Sequence, residues 1–263
     1  MSSTMKYRIK VFKQYKDLIL ELVKRDIKLK YRRSFLGYVW SVLNPLLIMI
    51  VMTIVFSAMF NKTIENYPIY LFTGRMLFEC MRNGTGGGLK SVTGNAALLK
   101  KTYIPKYVFT LAKVTSQMIE TVFSLGAFFI VMFATRTPFH WQLIFLPRIL
   151  IQLYIFTLGL SFLLAEMNVF FHDIEYIYHA FVTAWQYLTP LFYPIERLPN
   201  VLQVCIKAFN PMYCYIWQFR DIALYGQTPG PRIVIMGWVW AFAMLAIGLW
   251  RFQKQKDRFI LYI

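Results

Sequence analysis

GYVWSVLNPLLIMIVMTIVFSAMF, residues 37–60, runs for 24 residues without a charged side chain, directly behind the basic run KRDIKLKYRR, residues 24–33. At 1.5 Å rise per residue such a helix crosses the roughly 30 Å hydrocarbon core of a bilayer with length to spare. The cationic flank fixes which end stays inside. With the bilayer as solvent, backbone groups must be satisfied internally, so the chain reads as an all-α integral membrane protein.

Composition agrees. The chain is 58% hydrophobic with a net charge of +17 and a mean hydropathy of +0.48, too apolar for a soluble surface of this size. Its cations sit beside apolar spans and form no separate basic domain, which argues against nucleic acid as a partner. The first twenty residues, MSSTMKYRIKVFKQYKDLIL, lack the apolar core and small-residue cleavage site of a signal peptide. The first span is therefore expected to serve as the insertion signal.

Further apolar segments lie near residues 67–89, 107–134, 142–165, 176–193 and 233–250, giving six spans with the first. The segment 67–89 carries Arg75, Glu79 and Arg82 and is the weakest by hydropathy. Residues 1–36 precede the transmembrane domain of 37–250, and 251–263 form a tail. Lys and Arg number eleven before Gly37, four from Lys90 to Lys106, none from Glu166 to Glu175 and four after Trp250. The opposite loops hold only Lys62, Arg136, Arg197, Lys207, Arg220 and Arg232. That bias places both termini in the cytoplasm, as an even number of spans requires. Ahead of the first span, Val11, Tyr15, Leu18, Ile19 and Leu22 share one side of a helix, with Lys13, Lys16, Lys24 and Lys28 elsewhere. This pattern suits an amphipathic helix in the cytoplasmic interface, and equally a plain surface anchor.

Several motifs invite chemistry. GTGGGLKS, residues 84–91, has the flavour of a phosphate-binding loop, but Leu89 separates Gly88 from Lys90 and no strand precedes it. The glycines are better read as sites of close helix packing or of a break at the membrane boundary. His172, Glu175 and His179 fall on one helical face, yet no fourth ligand is visible, so a solvated helix end is preferred to a metal site. Asp173 and Glu175 resemble faintly the acidic pair of a membrane glycosyltransferase, without a catalytic domain to use them. Cys80, Cys205 and Cys214 have no metal or redox spacing; Cys205 and Cys214 fall on the same outer side, where either a disulfide or two buried thiols would fit. No nucleophile triad is present in the sequence pattern, so no catalytic residue is assigned.

Charges within spans are more telling, because ionised groups avoid lipid and face protein or a watery path. Arg75, Glu79 and Arg82 form one stripe, and Lys113 and Glu120 share a face of the third span. Arg75 and Glu79 either neutralise each other at a helix contact or form a polar wall suited to an anionic headgroup. On the outer side, TPLFYPIERLPN, residues 189–200, contains Pro190, Pro194 and Pro199 and cannot run as one helix. The apolar stretch after it is cut by Asn210-Pro211. Together, about residues 194–231 read as broken or re-entrant helices buried in protein, with two extra full spans as the alternative. Phe192, Tyr193, Tyr213, Tyr215 and Trp217 would ring an exit or form an interfacial aromatic belt.

RDIKLKYRRSFLGYVWSVLNPLL (25–47), NAALLKKTYIPK (95–106), NVFFHDIEYI (168–177), YLTPLFYPIERLP (187–199) and FNPMY (209–213) occur in that order. Over nearly the whole chain this resembles the membrane permeases of ABC exporters for bacterial surface polysaccharides and teichoic acids. The resemblance implies that Arg25, Asp26, Lys30, Tyr31, Leu36, Gly37, Trp40 and Pro45 belong to the interface helix and its passage into the first span. It implies a coupling loop at Leu98, Leu99, Lys100, Lys101, Pro105 and Lys106, docking on a separate ATPase. It further implies a second cytoplasmic turn at Asn168, Phe170, Phe171, Asp173 and Ile174, where His172 stands in place of the family's usual Arg. Pro190, Tyr193, Pro194, Pro199, Asn210, Pro211 and Tyr213, with Phe192, match outer helices that close the exit.

The same resemblance implies a homodimer with two ATPase subunits in the bacterial plasma membrane. ATP and Mg would be bound by those subunits and no cofactor by this chain. The cargo would be a glycan or polyol-phosphate polymer on a polyprenyl diphosphate carrier, for which Arg25, Lys30, Arg33, Arg75, Glu79 and Arg82 are the candidate headgroup and path residues. Two rival readings differ in class. A proton-coupled exporter would use Glu79 or Glu120 as relay but should carry an inverted repeat, and none is legible. A membrane glycosyltransferase would lean on Asp173 and Glu175.

Overall fold

A computed structural model describes residues 14–32, 34–60, 64, 66–255 and 258–262. Arg33, Lys62 and the first part of the predicted amphipathic helix, Val11 and Lys13 included, lie outside the described residues. The architecture is all-helical, 83% helix with no strand among the described residues. In order the helices are α1 (Lys16–Tyr31), a 3₁₀ turn (Gly37–Val39), α2 (Trp40–Phe60), α3 (Tyr67–Leu89), α4 (Ala96–Lys101), α5 (Tyr107–Ala134), α6 (Leu146–Phe170), α7 (Ile174–Leu188), α8 (Asn200–Phe209), α9 (Pro211–Ala223), α10 (Pro231–Gln255) and α11 (Phe259–Tyr262).

Proline sets several of these boundaries. Pro68, Pro147 and Pro211 occupy the first turn of α3, α6 and α9, where a missing N–H leaves no bond unmade. Asn210 caps α9, its side chain accepting from the Met212 N–H at 3.1 Å. At the other end of a helix, Pro190 drives Thr189 to extended backbone, φ −82° and ψ 130°. Helix α7 therefore stops at Leu188, short of the expected 193.

Four stretches are long and apolar enough to cross a membrane: Gly37–Phe56, Tyr107–Ala134, Trp141–Phe170 and Pro231–Gln255. The other two expected spans take different forms. Helix α3 has 23 residues, sixteen of them buried; it carries the half-buried Arg75, Glu79 and Arg82 and is not among the four apolar stretches. Helix α7 has 15 residues, about 22 Å of rise, and is continued by the mostly buried, non-helical segment 189–194. Of the two outer helices expected to be buried in protein, only α9 is; α8 buries Ile206 alone.

Besides a small third cluster that joins Ile195, Ile206 and Tyr213, the apolar interior has two main parts. The larger gathers α3 with the outer halves of α5 and α6, the segment around Leu191 and the buried face of α9. The smaller joins Ile19, Leu22 and Val23 of α1 to Val92, Leu99, Phe109, Phe162, Phe252 and Phe259 at the inner helix ends. The apolar face of α1 is thus turned onto protein. Its contacts run from the loop before α5 up that helix: Tyr15 Oη donates to the Tyr103 carbonyl at 3.3 Å, Asp26 pairs with Lys113 at 2.9 Å, and Lys30 pairs with Glu120 at 2.5 Å. The shared face of Lys113 and Glu120 read from sequence is the face α1 covers.

Two helix crossings depend on glycine. A Cβ on Gly248 of α10 would lie 2.0 Å from the Gly159 carbonyl oxygen of α6, so these backbones touch. The run GTGGGLKS is helical through Leu89, and Cβ atoms on Gly84 and Gly88 would meet Thr157 and Ser161 of α6 at 2.8 and 2.5 Å. Close packing is its role, in agreement with the small-residue reading.

Candidate functional site: a cleft between two tied surfaces

A half-open cleft of about 450 Å³ lies between the end of α1 and helices α2, α3 and α5. Its polar part comes from Lys30, Asn44, Arg75, Glu79, Asn83, Gln117 and Glu120, and its apolar part from Met49, Leu71, Phe72 and Met76. Helix spacing explains the convergence: Arg75, Glu79 and Asn83 recur every four residues on α3, and Gln117, Glu120 and Ser124 share a stripe of α5. Ser124 Oγ donates to the Ser41 carbonyl at 3.2 Å, seating the first turn of α2 against α5.

The charges in the cleft are internally matched. Arg75 pairs with Glu79 at 2.5 Å, one turn away on α3, and Lys30 pairs with Glu120 across α1 and α5. The six residues grouped from sequence as a headgroup site therefore separate. Lys30, Arg75 and Glu79 line the cleft; Arg25 pairs with Asp26 at 3.0 Å; Arg82 donates to Gln186 of α7 at 3.3 Å. Sequence spacing put Arg75 and Arg82 on one stripe, but the 20° offset between i and i+7 positions and the arrival of α7 turn Arg82 to another neighbour.

Below the cleft, the two turns expected from sequence to be cytoplasmic meet. Lys90 pairs with Glu175 at 2.5 Å, and the Asn168 side-chain amide donates to the Leu89 carbonyl at 3.3 Å and to Thr93 Oγ1 at 3.4 Å. Leu98, Lys100, Lys101, Thr102 and Tyr103 are exposed on one turn, and Phe171, His172 and Asp173 on the other. Leu99 departs from the docking role read for it: it faces inward, packed with α1 in the smaller apolar cluster, because an amphipathic single turn must bury one side. Pro105 is half-buried and Lys106 lies over the Phe259 ring at 5.3 Å. In the stripe of His172, Glu175 and His179, Glu175 is held by Lys90, and no metal-binding group of three occurs among the described residues.

Above the cleft, residues 189–194 form a bent strap that leads into a 3₁₀ turn at Ile195–Arg197. Its carbonyls are held by side chains of α3 and α9. Tyr67 Oη donates to Phe192 O at 3.0 Å, Tyr70 Oη to Tyr193 O at 2.8 Å, and Arg220 Nη2 to Leu191 O at 3.2 Å and Tyr70 O at 3.4 Å. Asn210 adds a second tie, accepting from Trp185 Nε1 at 3.0 Å and donating to Thr189 Oγ1 at 2.9 Å. Pro190, Phe192, Pro194 and Tyr213 are buried and Tyr193 is half-buried, so these outer residues pack into the bundle and do not ring an open path. Phe192 stacks on Phe56 of α2 with centroids 5.6 Å apart. Cys205 is exposed and Cys214 buried, both free thiols, which removes the disulfide alternative.

Arg220 was grouped by sequence with outer-loop charges, yet its side chain is 1% exposed. Its guanidinium stacks 3.4 Å from the Tyr70 ring centroid, in space that Gly74 leaves open. No carboxylate pairs with it among the described residues. The signal was present in PMYCYIWQFRDIA, residues 211–223, where a lone cation sits within an aromatic, apolar helix.

The family described as ABC-2 type transporter matches residues 17–224. The O-antigen export system permease protein RfbA of Myxococcus xanthus is 30% identical over 217 residues, covering 82% of this chain and 84% of the relative. A protein of the same name from Klebsiella pneumoniae is 29% identical over 261 residues, covering 98% of each. The capsule polysaccharide export inner-membrane protein CtrC of Neisseria meningitidis serogroup A is 22% identical over 197 residues, 72% of each.

Proposed function

The chain is a member of the ABC-2 type transporter family, and on that footing we propose that it is the permease subunit of an ATP-driven exporter of a lipid-linked bacterial surface polysaccharide. The observation that carries this reading is the joined cytoplasmic surface. Two turns far apart in sequence are tied by Lys90 and Glu175, and both leave exposed side chains for a partner. The relatives named as O-antigen and capsule exporters supply the cargo class; teichoic acid belongs to the same polymer-on-carrier chemistry.

In this reading α3 and the short α7 with its strap are the second and fifth of six spans, and both termini lie in the cytoplasm. Two copies face each other, and the exposed apolar side chains of α2 and α7, such as Ile50, Ile54, Ile177 and Phe181, serve lipid and the second copy. Closure of two ATPase subunits on ATP presses on Leu98, Lys100, Lys101, Phe171 and Asp173. The smaller apolar cluster carries the push to α1, α5, α6 and α10 together, because a close-packed interior transmits strain. Above it, release of the strap from Tyr67, Tyr70 and Arg220 opens the outer end.

Inverted inner-membrane vesicles containing this chain and its ATPase test the reading. Movement of lipid-linked polymer into the lumen is expected to require ATP and to persist when a protonophore collapses the gradient. Movement that needs no ATP and stops with the gradient would instead establish the proton-coupled alternative.

A further inference from the structure

The cleft's charges are neutralised in pairs, but its amides are not used. Asn44 of α2, Asn83 of α3 and Gln117 of α5 line it from three sides, and none of their side chains bonds to protein among the described residues. Each amide offers a carbonyl acceptor and two N–H donors. Asn44 and Asn83 are exposed to the cleft and Gln117 is half-buried, so all three present free donors and acceptors to an occupant of the cleft, a set matched by a ligand rich in both.

A diphosphate does not answer that description. It presents only acceptors, and two of its best local partners, Lys30 and Arg75, already hold Glu120 and Glu79. The carboxylates would have to be displaced, and the pairs leave no excess positive charge. A sugar ring does answer it, because every hydroxyl both donates and accepts. The paired Glu79, Glu120 and Arg75 retain lone pairs and N–H groups for further hydroxyls. Trp40 is exposed at the rim beside Asn44 and offers a flat apolar face to a pyranose. A volume of about 450 Å³ accommodates one or two sugar rings.

We propose that the cleft between α1, α2, α3 and α5 is a sugar-reading subsite, in which Asn44, Asn83 and Gln117 bind the hydroxyls of the sugar nearest the lipid carrier while the diphosphate stays outside at the membrane surface. The inference rests on the exporter reading and specifies what that site recognises. Selection by hydroxyls rather than by phosphate would let one carrier serve several pathways while each exporter takes only its own first sugar.

The test uses the full chain in nanodiscs with two probes: a polyprenyl diphosphate bearing one sugar, and the same polyprenyl diphosphate without it. The hydrogen bonds to the sugar hydroxyls predict that the native chain binds the sugar-bearing carrier about tenfold tighter than the bare one. The triple variant Asn44→Ala, Asn83→Ala, Gln117→Ala is expected to bind both carriers equally, with affinity for the bare carrier unchanged and the same thermal unfolding profile. Equal affinity of the native chain for the two carriers would overturn the subsite while leaving the exporter reading intact, as would a folded triple variant that still discriminates. Should the triple variant unfold, Gln117→Glu and Asn83→Asp taken singly must each lower discrimination for the subsite to stand. Binding of neither carrier by the native chain would overturn both.

Discussion

Gly248→Ala is expected to abolish the folded bundle, whereas Gly86→Ala on α3 stabilises it. Alanine favours a helix over glycine by about 1 kcal/mol, so propensity alone predicts a gain at both positions. At Gly86 nothing lies within 4 Å of the added Cβ, and the gain stands. At Gly248 the Cβ would sit 2.0 Å from the Gly159 carbonyl oxygen and 3.2 Å from its Cα. The obstacle is backbone on both helices, so no rotamer change relieves it, and α6 must separate from α10 along a crossing that joins both apolar clusters. The penalty is expected to exceed the about 1–3 kcal/mol typical of overpacking. Thermal unfolding and monodispersity in detergent check the pair; a Gly248→Ala protein as stable as the native one would contradict the observed contact.

Arg220→Met should loosen the outer strap without disturbing the cytoplasmic surface. The change removes the donors to the Leu191 and Tyr70 carbonyls and the stack on Tyr70. Leaving the buried Leu191 carbonyl without a partner costs about 1–3 kcal/mol, while the Tyr70 carbonyl keeps its bond from Thr73 Oγ1 at 3.0 Å. Part of this is offset, since a buried cation without a carboxylate partner is itself unfavourable, and with the lost ring stack a net local loss of about 1–3 kcal/mol is expected. Hydrogen exchange reads it directly: amides of residues 189–194 should exchange about tenfold faster in the variant, while those of 90–106 stay as they were. Unchanged exchange at the strap would mean that Tyr67 and Tyr70 hold it alone. Arg220→Lys should restore only part of the protection, because an ammonium cannot bridge two carbonyls while stacking on a ring.

The helical, membrane-spanning character was legible because a run such as residues 37–60 admits no other solvent-compatible structure. Four spans are strong in this sense, and α3 was placed correctly at 67–89 because its period-four polar stripe is itself a helix signature. What one-dimensional reading could not supply was which side of each element meets protein. Leu99 and Lys100 are neighbours in sequence, yet one is core and the other surface, since the smaller apolar cluster meets only one face of α4. Arg82 and Arg75 share a stripe but not a partner, as α7 reaches only the former. Arg220 looked like an ordinary loop cation because its burial depends on Tyr70 and Gly74, some 150 and 146 positions away. The cleft's unpaired amides were equally hidden: Asn and Gln carry no charge, so neither hydropathy nor charge counting singles them out.

The account stands most directly on a separate ATPase bound through the joined cytoplasmic turns. The measurement is co-purification of the tagged chain with the ATPase encoded beside it, with ATP hydrolysis followed in lipid. It compares the native chain with the variant Leu98→Ala, Lys100→Ala, Lys101→Ala, which leaves the inward-facing Leu99 in place. The native pair is expected to form a stable complex whose hydrolysis rises with lipid-linked glycan, and the variant, folded to the same extent, to lose association or at least tenfold of the stimulated rate. A folded native chain that binds no ATPase, or a variant that couples as well as the native one, would contradict it.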